Sequence, residues 1–134
     1  MLEVTCAIII HDGKVLATQR SKSMKMPLKW EFPGGKLEDN EIASDGLKRE
    51  IKEELAIDIR IIKPLPTIVH HYTSFSISLI PFVAEYVSGE IKLTEHAAYL
   101  WLDSNNIPEL DWAEADLPLV RELHTIVKQA IEPK

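Results

Sequence analysis

The sequence predicts one α/β domain in which helices pack on a mixed β-sheet. Residues before position 20 and in 57–102 are rich in β-branched, aromatic and other apolar side chains, and this composition favours strands. Residues 41–55 and 117–131 carry apolar side chains at the three- and four-residue spacing of amphipathic helices. A chain of 134 residues with 46% hydrophobic content can bury one substantial core. We therefore expect a single domain over residues 1–134.

The N-terminal segment, residues 2–20, is predicted to form a β-hairpin. Two apolar stretches, VTCAIII and KVLATQR, flank His11-Asp12-Gly13, and Asp-Gly between such stretches is a strong hairpin signal. The polar residues 21–29 include a proline, so we expect a loop there. The WEFPGGK segment that follows, residues 30–36, ends in a Pro-Gly-Gly break.

The remaining elements are predicted in the order helix, strands, helix. The first helix spans Glu41–Leu55, and strands fill residues 57–85 with a turn at Tyr72–Ser76. After a second turn at Ser88-Gly89 we expect a strand over 97–102 and a closing helix over 117–131. No internal repeat or linker interrupts this order, which is that of one mixed sheet with helices.

Charge and cysteine content argue against several classes of function. The formal charge is −6, from 21 acidic and 15 basic residues, which disfavours sequence-independent binding to nucleic acid or anionic lipid. Cys6 is the only cysteine, so neither an intrachain disulfide nor a cysteine metal cluster can form. No apolar run approaches the roughly 18 residues that span a bilayer, and no leader is recognisable. We expect a cytoplasmic protein whose partner is a small molecule.

Three glutamates are spaced so that a helix brings them onto one surface. Glu50, Glu53 and Glu54 stand at i, i+3 and i+4, where like charges cost a helix about 0.2–0.5 kcal/mol per pair. Mg²⁺ offsets such repulsion because it is a hard cation that prefers oxygen ligands. The alternative is a solvated acidic face neutralised by the neighbouring basic residues, and an isolated E-x-x-E-E pattern does not decide between the two.

The wider pattern resembles the Nudix box of the MutT-like hydrolases. Residues 35–57 contain Gly35, five residues, Glu41, seven residues, and then Arg49-Glu50-Ile51-Lys52-Glu53-Glu54. The match departs at Ala56, where the box has a glycine. Alanine can replace glycine only where the backbone tolerates a Cβ atom, so we expect a slightly altered helix exit.

The resemblance implies a fold, a metal and a set of ligands. The fold is the Nudix fold, a mixed sheet sandwiched between helices (α/β/α), and the metal is Mg²⁺, with Mn²⁺ as a possible substitute. Similar enzymes bind the metal through residues that match Glu53 and Glu54, while Glu50 ligates it or acts as the base. The resemblance also assigns Gly34 and Glu95 to the metal site, and Glu95 is a further candidate for the base.

The resemblance assigns other residues to the substrate and the loop. Phosphate contacts fall on Arg20 and Lys36, and structural roles in the motif fall on Gly35, Glu41 and Arg49. Arg20 is equally suited to a solvent-facing salt bridge, because it ends a strand. Base reading falls on Asp116, and Phe32 is expected in the core or the pocket wall, where it can stack on the base.

Asp116 has two interpretations. It caps the last helix or reads the base, and one residue can do both through its two oxygens. An ionised carboxylate matches the N–H donors of a guanine-like edge, whereas a protonated one both donates and accepts, as cytosine requires.

The implied reaction is hydrolysis of a nucleoside triphosphate to a nucleoside monophosphate and pyrophosphate. An oxidised, modified or cytosine-containing nucleotide is the expected substrate, and cleansing of the nucleotide pool is the expected purpose. The alternatives are a dinucleoside polyphosphate, for which Tyr72 is suggestive, another nucleoside diphosphate derivative, or a Nudix-fold sensor without turnover. The protein is expected to be a monomer or a homodimer.

Overall fold

The computed structural model describes residues 1–131, which form eight strands, a short 3₁₀ helix at Glu114–Asp116 and two α-helices. The strands are β1 (Leu2–His11), β2 (Lys14–Gln19), β3 (Trp30–Glu31), β4 (Gly34–Lys36), β5 (Asp58–Pro64), β6 (Ile68–His71), β7 (Ser76–Ser88) and β8 (Ala98–Asp103). The helices are α1 (Ala43–Leu55) and α2 (Leu117–Ile131). Within residues 1–131, no helix has the length and apolar character needed to cross a membrane.

All eight strands belong to one mixed sheet with β1 near its centre. β1 runs parallel to β7 from Leu2↔Ile77 to Ile10↔Glu85, and every other named pairing is antiparallel. β2 joins β1 to β8 and β3, while β5 and β6 both pair with β7. A parallel pair needs a crossover connection, and residues 12–75 provide it. The predicted mixed sheet is confirmed.

Alternation along β1 divides the core between the two faces of the sheet, because successive strand residues point to opposite sides. Cys6 and Ile8 belong to the cluster that packs on α2, with Leu119, Leu123 and Val127. Ala7 and Ile9 belong to the cluster that packs on α1, with Leu47, Ile51 and Leu55. One helix therefore covers each face, which confirms the α/β/α prediction.

Most predicted boundaries agree with the structure. The turn between β1 and β2 has positive φ at Asp12 (50°) and Gly13 (76°), as the Asp-Gly signal predicts. Residues 72–75 connect β6 to β7, with Tyr72 N–H donating to the Phe75 carbonyl at 2.8 Å. α2 has the predicted bounds, and β8 is displaced by one residue.

Two predictions at the glycine-rich segment need correction. α1 begins at Ala43 rather than Glu41, because Ile42 has an extended backbone (φ −68°, ψ 130°). The Pro-Gly-Gly break continues directly into β4, which pairs with β1. Gly34 makes this approach possible, since a Cβ atom there would lie 2.1 Å from the Thr5 carbonyl oxygen.

The expected alteration at the end of α1 is wrong. Ala56 has φ 61° and ψ 25°, the left-handed conformation that glycine favours, and its N–H donates to the Lys52 carbonyl. The helix therefore ends in the left-handed cap geometry, and the Cβ atom of Ala56 makes this conformation less favourable than it would be for glycine. An L-residue in this conformation is less stable by about 1–2 kcal/mol.

Replacing Ala56 with glycine is expected to stabilise the protein. The gain in unfolding free energy should be about 0.5–1 kcal/mol, because relief of the left-handed strain exceeds the added backbone entropy of glycine. Urea unfolding followed by circular dichroism measures it. Ala43→Gly is the matched control, since Ala43 has no positive φ and the same exchange there should destabilise. A loss of stability in Ala56→Gly would contradict the assignment of strain.

Candidate active site

A fork between Arg49 and Glu41 holds the acidic helix against the loop before it. Arg49 donates from Nε to Glu41 Oε2 at 2.7 Å and from Nη2 to Glu41 Oε1 at 2.9 Å. The Glu38 N–H also donates to Glu41 Oε1, at 3.0 Å. The hydrogen bonds from Arg49 are the main reason that the pKa of Glu41 falls to about 2. Both side chains thus hold the geometry of the motif.

Gly35 sets the distance between β4 and the helix. A Cβ atom at Gly35 would lie 2.3 Å from Glu50 Oε2 and 2.8 Å from its Cγ. The Glu50 carboxylate therefore rests directly against the Gly35 backbone, and any side chain at this position would displace the Glu50 side chain. Gly34 and Gly35 have separate packing roles, the first against β1 and the second against Glu50.

The three helix glutamates differ in their surroundings. Arg49 Nη1 contacts Glu50 Oε1 at 3.0 Å and Glu53 Oε2 at 3.2 Å, and the Glu53 side chain is 59% exposed. Glu54 is largely buried. Burial, followed by the charges of Glu50 and Glu31, raises the pKa of Glu54 to about 8. Glu54 is therefore the carboxylate whose ionised form most needs a positive partner.

The loop before β8 brings Glu95 to this cluster. Thr94 N–H donates to the Glu54 carbonyl at 3.2 Å, and the Thr94 hydroxyl donates to the Glu53 carbonyl at 3.1 Å. These bonds satisfy carbonyls that the end of α1 leaves without helical partners. Glu95 is exposed, yet its charge contributes to the raised pKa of Glu54. The four predicted metal-binding glutamates thus lie in one region.

The residues present fit a hard divalent cation. Within residues 1–131 no three His, Cys, Asp or Glu side chains are preassembled as a metal-binding group, since Arg49 holds Glu50 and Glu53. Glu54 Oε2, however, is buried and has no hydrogen-bond partner, and an unpaired buried carboxylate oxygen is costly. Carboxylate oxygens are the donors that Mg²⁺ prefers. The fit therefore rests on Glu54 and its carboxylate neighbours.

Glu31 and His96 connect this cluster to Arg20, and the sequence analysis identified neither as a site residue. Glu31 Oε1 accepts from Arg20 Nη1 at 2.8 Å, and Glu31 Oε2 lies 2.9 Å from His96 Nε2. The His96 side chain is only 1% exposed. No sequence motif marks Glu31 and His96, because Glu31 lies in a strand of two residues and its contact with His96 joins positions that are 65 residues apart. Arg20, predicted to bind phosphate, is thus paired in part with Glu31.

A cavity of about 270 Å³ links the carboxylates to Asp116. Its polar lining includes Arg20, Glu31, Lys36, Glu54 and Asp116. The apolar part of the wall comes from Met24, Met26, Phe32, Tyr72, Phe75 and Ala115. One cavity therefore brings predicted metal, phosphate and base-reading residues together.

Asp116 lines the cavity, and its side chain is bonded to the backbone just after β3 rather than to α2. Its Oδ2 accepts the Phe32 N–H at 2.7 Å, so the structure shows no capping bond from this side chain. Burial, followed by the charge of Glu31, raises the pKa of Asp116 to about 8. Asp116 consequently carries a proton at neutral pH and can donate as well as accept a hydrogen bond.

Phe32 and Tyr72 build the wall around Asp116. The Phe32 side chain is only 2% exposed and packs on Trp112 with ring centroids 5.1 Å apart. Tyr72 stacks on Phe75 at 5.0 Å, and its hydroxyl accepts the Ala115 N–H at 3.1 Å. Tyr72 therefore ties the β6–β7 turn to the 3₁₀ helix, a structural role compatible with lining the cavity.

Residues 1–123 match the NUDIX domain. The chain belongs to the Nudix family. A CTP pyrophosphohydrolase from Escherichia coli (strain K12) is 34% identical over 123 residues, covering 90% of this chain and 89% of the relative. An 8-oxo-dGTP diphosphatase from Proteus vulgaris is 39% identical over 91 residues, covering 67% and 81%. The solution structure of a MutT Nudix hydrolase from methicillin-resistant Staphylococcus aureus 252 is 40% identical and has a TM-score of 0.74, with coverage of 93% and 96%.

The family assignment confirms the resemblance read from the box. The chain is a Nudix hydrolase, and Nudix hydrolases generally need divalent metal cations. The acidic face of α1 is therefore interpreted as a cation site rather than a solvated surface.

The protonated state of Asp116 predicts how the Asp116→Asn variant responds to pH. The folded-state pKa of about 8 lies above the ordinary aspartate pKa of 3.8, so wild-type stability falls as pH rises from about 4 to 8. The amide cannot ionise and still accepts the Phe32 N–H. The variant's advantage should therefore grow with pH, by at most about 1.4 kcal/mol per unit, and level off above pH 8.

Urea unfolding between pH 5 and 9 measures this difference. Asp39→Asn is the control, because Asp39 is exposed and its replacement should give no comparable pH-dependent gain. An Asp116→Asn advantage that stays constant from pH 5 to 8 would show that the buried carboxyl is already ionised.

Proposed function

We propose that this Nudix hydrolase converts a nucleoside triphosphate with a cytosine-like base to the monophosphate and pyrophosphate, using Mg²⁺. The cavity lined by both Glu54 and Asp116 carries the proposal, because it offers a cation-seeking carboxylate and a neutral, hydrogen-bonding group to one ligand. Mn²⁺ is proposed as a substitute for Mg²⁺. Cleansing of the nucleotide pool is the proposed purpose.

The state of Asp116 supports the choice of base. A protonated carboxyl group can donate to cytosine N3 and accept from its exocyclic amine, whereas only an ionised carboxylate can accept from both adjacent N–H donors of an unmodified guanine. The similarity to the Escherichia coli CTP pyrophosphohydrolase over 90% of the chain points in the same direction. Phe32 and the Tyr72–Phe75 pair supply apolar surface beside this group.

The side chains have separable roles in the proposed reaction. Glu50, Glu53, Glu54 and Glu95, with the Gly34 carbonyl, would hold the cation, which neutralises phosphate charge and makes water more acidic. Glu50, Glu53 or Glu95 accepts the proton of the attacking water. Arg20 and Lys36 line the cavity and supply positive charge to the phosphates. Overall, water adds to one phosphorus as a bridging P–O bond breaks.

An oxidised guanine nucleotide is the second candidate. The Proteus vulgaris 8-oxo-dGTP diphosphatase, 39% identical over 91 residues, favours it. A neutral Asp116 also offers its proton to a base carbonyl oxygen, a group that an oxidised guanine has in addition. The proposed location is the cytoplasm, where nucleotide pools are held, and the proposed assembly is a monomer or a homodimer.

A substrate panel tests the base assignment. With Mg²⁺, cytosine triphosphates should be hydrolysed with at least about tenfold higher kcat/KM than dGTP, because a mismatched buried hydrogen bond costs about 1–3 kcal/mol. The panel contains CTP, dCTP, 5-methyl-dCTP, dGTP, 8-oxo-dGTP and diadenosine tetraphosphate, with products resolved by phosphorus NMR. Preference for 8-oxo-dGTP selects the second candidate, turnover of diadenosine tetraphosphate alone selects a dinucleoside polyphosphate hydrolase, and binding without turnover indicates a sensor.

Glu53→Gln tests the catalytic role of the helix. We expect kcat to fall by more than about 100-fold, since even residues that only support a metal ligand cost 10- to 100-fold when removed. The unfolding free energy should change by at most about 0.5 kcal/mol, because the Glu53 side chain is largely exposed. Glu122→Gln, at an exposed position of α2, is the control and should keep wild-type activity. Wild-type turnover in Glu53→Gln would remove this residue from the mechanism.

A further inference from the structure

Lys25 joins Arg20 and Lys36 as a basic residue in the lining of the nucleotide cavity. The residue is exposed, and within residues 1–131 no carboxylate forms a salt bridge with its ammonium group. Arg20, in contrast, already donates to Glu31 at 2.8 Å. Lys25 therefore keeps a positive charge that a ligand of the cavity can use.

The backbone of Lys25 is fixed by the loop that carries it, residues 21–29. Arg20 donates from Nε to the Lys25 carbonyl at 2.5 Å, and the Arg20 N–H donates to the Lys29 carbonyl at 2.8 Å. The next residue, Met26, has a φ of 50°, a conformation that persists in an L-residue only where the surrounding structure holds it. The fold therefore specifies where the stem of Lys25 starts.

The ammonium group of Lys25 rests over an aromatic ring. Nζ lies 5.3 Å from the centroid of the Phe75 ring, which stacks on Tyr72. A cation over an exposed ring is bound more weakly than one that donates hydrogen bonds to an anionic oxygen. Because the lysine stem is flexible, the ammonium group can exchange the ring for such an oxygen while its backbone stays in place.

A bound triphosphate supplies that oxygen. Lys25 and Phe75 both line the cavity, so the exchange takes place within the nucleotide site. Phosphate oxygens carry the negative charge that attracts an ammonium group most strongly, and they offer acceptors to a group that has only donors. The exchange also frees the surface of the Phe75 ring, against which a base can pack.

We propose that Lys25 is a substrate-binding residue whose ammonium group leaves the Phe75 ring and contacts the polyphosphate when the nucleotide binds. The inference rests on the proposed function and adds a further cation to Arg20 and Lys36. It assigns Lys25 to the phosphates and not to the base.

Removal of the charge tests the contact with phosphate. The probes are inorganic triphosphate and the α,β-methylene analogue of CTP, which resists the proposed cleavage, and each is titrated with Mg²⁺ into the intact protein by calorimetry. Lys25→Met should weaken binding of both probes about tenfold, as expected for the loss of one charge-assisted hydrogen bond. Lys25→Arg should restore both affinities to within about threefold of wild type, because a guanidinium group also binds phosphate.

Lys22→Met is the matched control. Lys22 is exposed in the same loop and lies outside the cavity lining, so its replacement should leave both affinities unchanged. Wild-type binding of both probes by Lys25→Met would overturn the contact with phosphate, and an equal loss in Lys22→Met would do the same by showing a general effect of charge. A loss confined to the CTP analogue would also overturn it, because Lys25 would then contact the nucleoside.

Phe75→Leu tests the exchange itself. Without the ring the ammonium group loses its competing partner, so inorganic triphosphate, which has no base, should bind about two- to fivefold more tightly than it binds the wild type. Unchanged or weaker binding in this variant would overturn the exchange.

A failure of the inference differs from a failure of the proposed function. Normal binding by Lys25→Met, together with triphosphate hydrolysis by the wild type, would overturn the inference and leave the proposed function intact. Failure of the wild type to hydrolyse any triphosphate would instead refute the proposed function, and the inference with it.

Discussion

The fork between Arg49 and Glu41 is the interaction on which the geometry of the acidic helix depends. Glu41 precedes α1 and Arg49 lies in its second turn, so two hydrogen bonds of 2.7 and 2.9 Å close the glycine-rich loop onto the helix. The same guanidinium contacts Glu50 and Glu53. A planar, permanently charged group suits this task, because it offers several donors in fixed directions. One side chain thus joins the loop to two of the proposed metal ligands.

A second constraint is the burial of carboxylates around few cations. Glu31, Glu54 and Asp116 all line the cavity, and the basic residues of its lining are Arg20, Lys25 and Lys36. Burial of like charges in low dielectric favours neutral forms, which accounts for the raised pKa values of Glu54 and Asp116. The surroundings of the two carboxyl groups nevertheless differ. Glu54 lies among other carboxylates, where a cation can restore its charge, whereas Asp116 lies in an apolar wall that keeps it neutral.

The elements with strong local signals were predictable from sequence. Asp12-Gly13 specifies its hairpin because positive φ suits those residues, and the spacing of Leu119, Leu123 and Val127 specifies the buried side of α2. The clustering of the carboxylates of α1 was equally predictable, because residues three and four positions apart in a helix are neighbours on its surface. The start of α1 was misplaced because Glu41 helps to hold the helix in position without being part of it.

The rest of the site depends on contacts that no local pattern encodes. Glu31 lies in a two-residue strand, and it meets His96 only because β3 and β8 both pair with β2. From its sequence context, Asp116 was equally suited to capping α2 and to reading the base. In the structure its carboxylate accepts the Phe32 N–H at 2.7 Å. This contact depends on the tertiary path of the chain and not on a local pattern. At Ala56, in contrast, the tertiary structure holds an alanine in the left-handed conformation, which the contacts of its own Cβ atom disfavour.

The charge of the protein links the cation to the nucleotide. A triphosphate brings several negative charges to a chain of formal charge −6, beside a cluster of glutamates that repel it. The arginine and lysines of the cavity wall offset only part of that repulsion, since Arg20 is already paired with Glu31. A divalent cation held by these carboxylates would reverse the sign of the interaction, and cation and nucleotide would then strengthen each other's binding by the same factor. The acidic surface would thereby favour nucleotides that carry a metal ion over free polyphosphates.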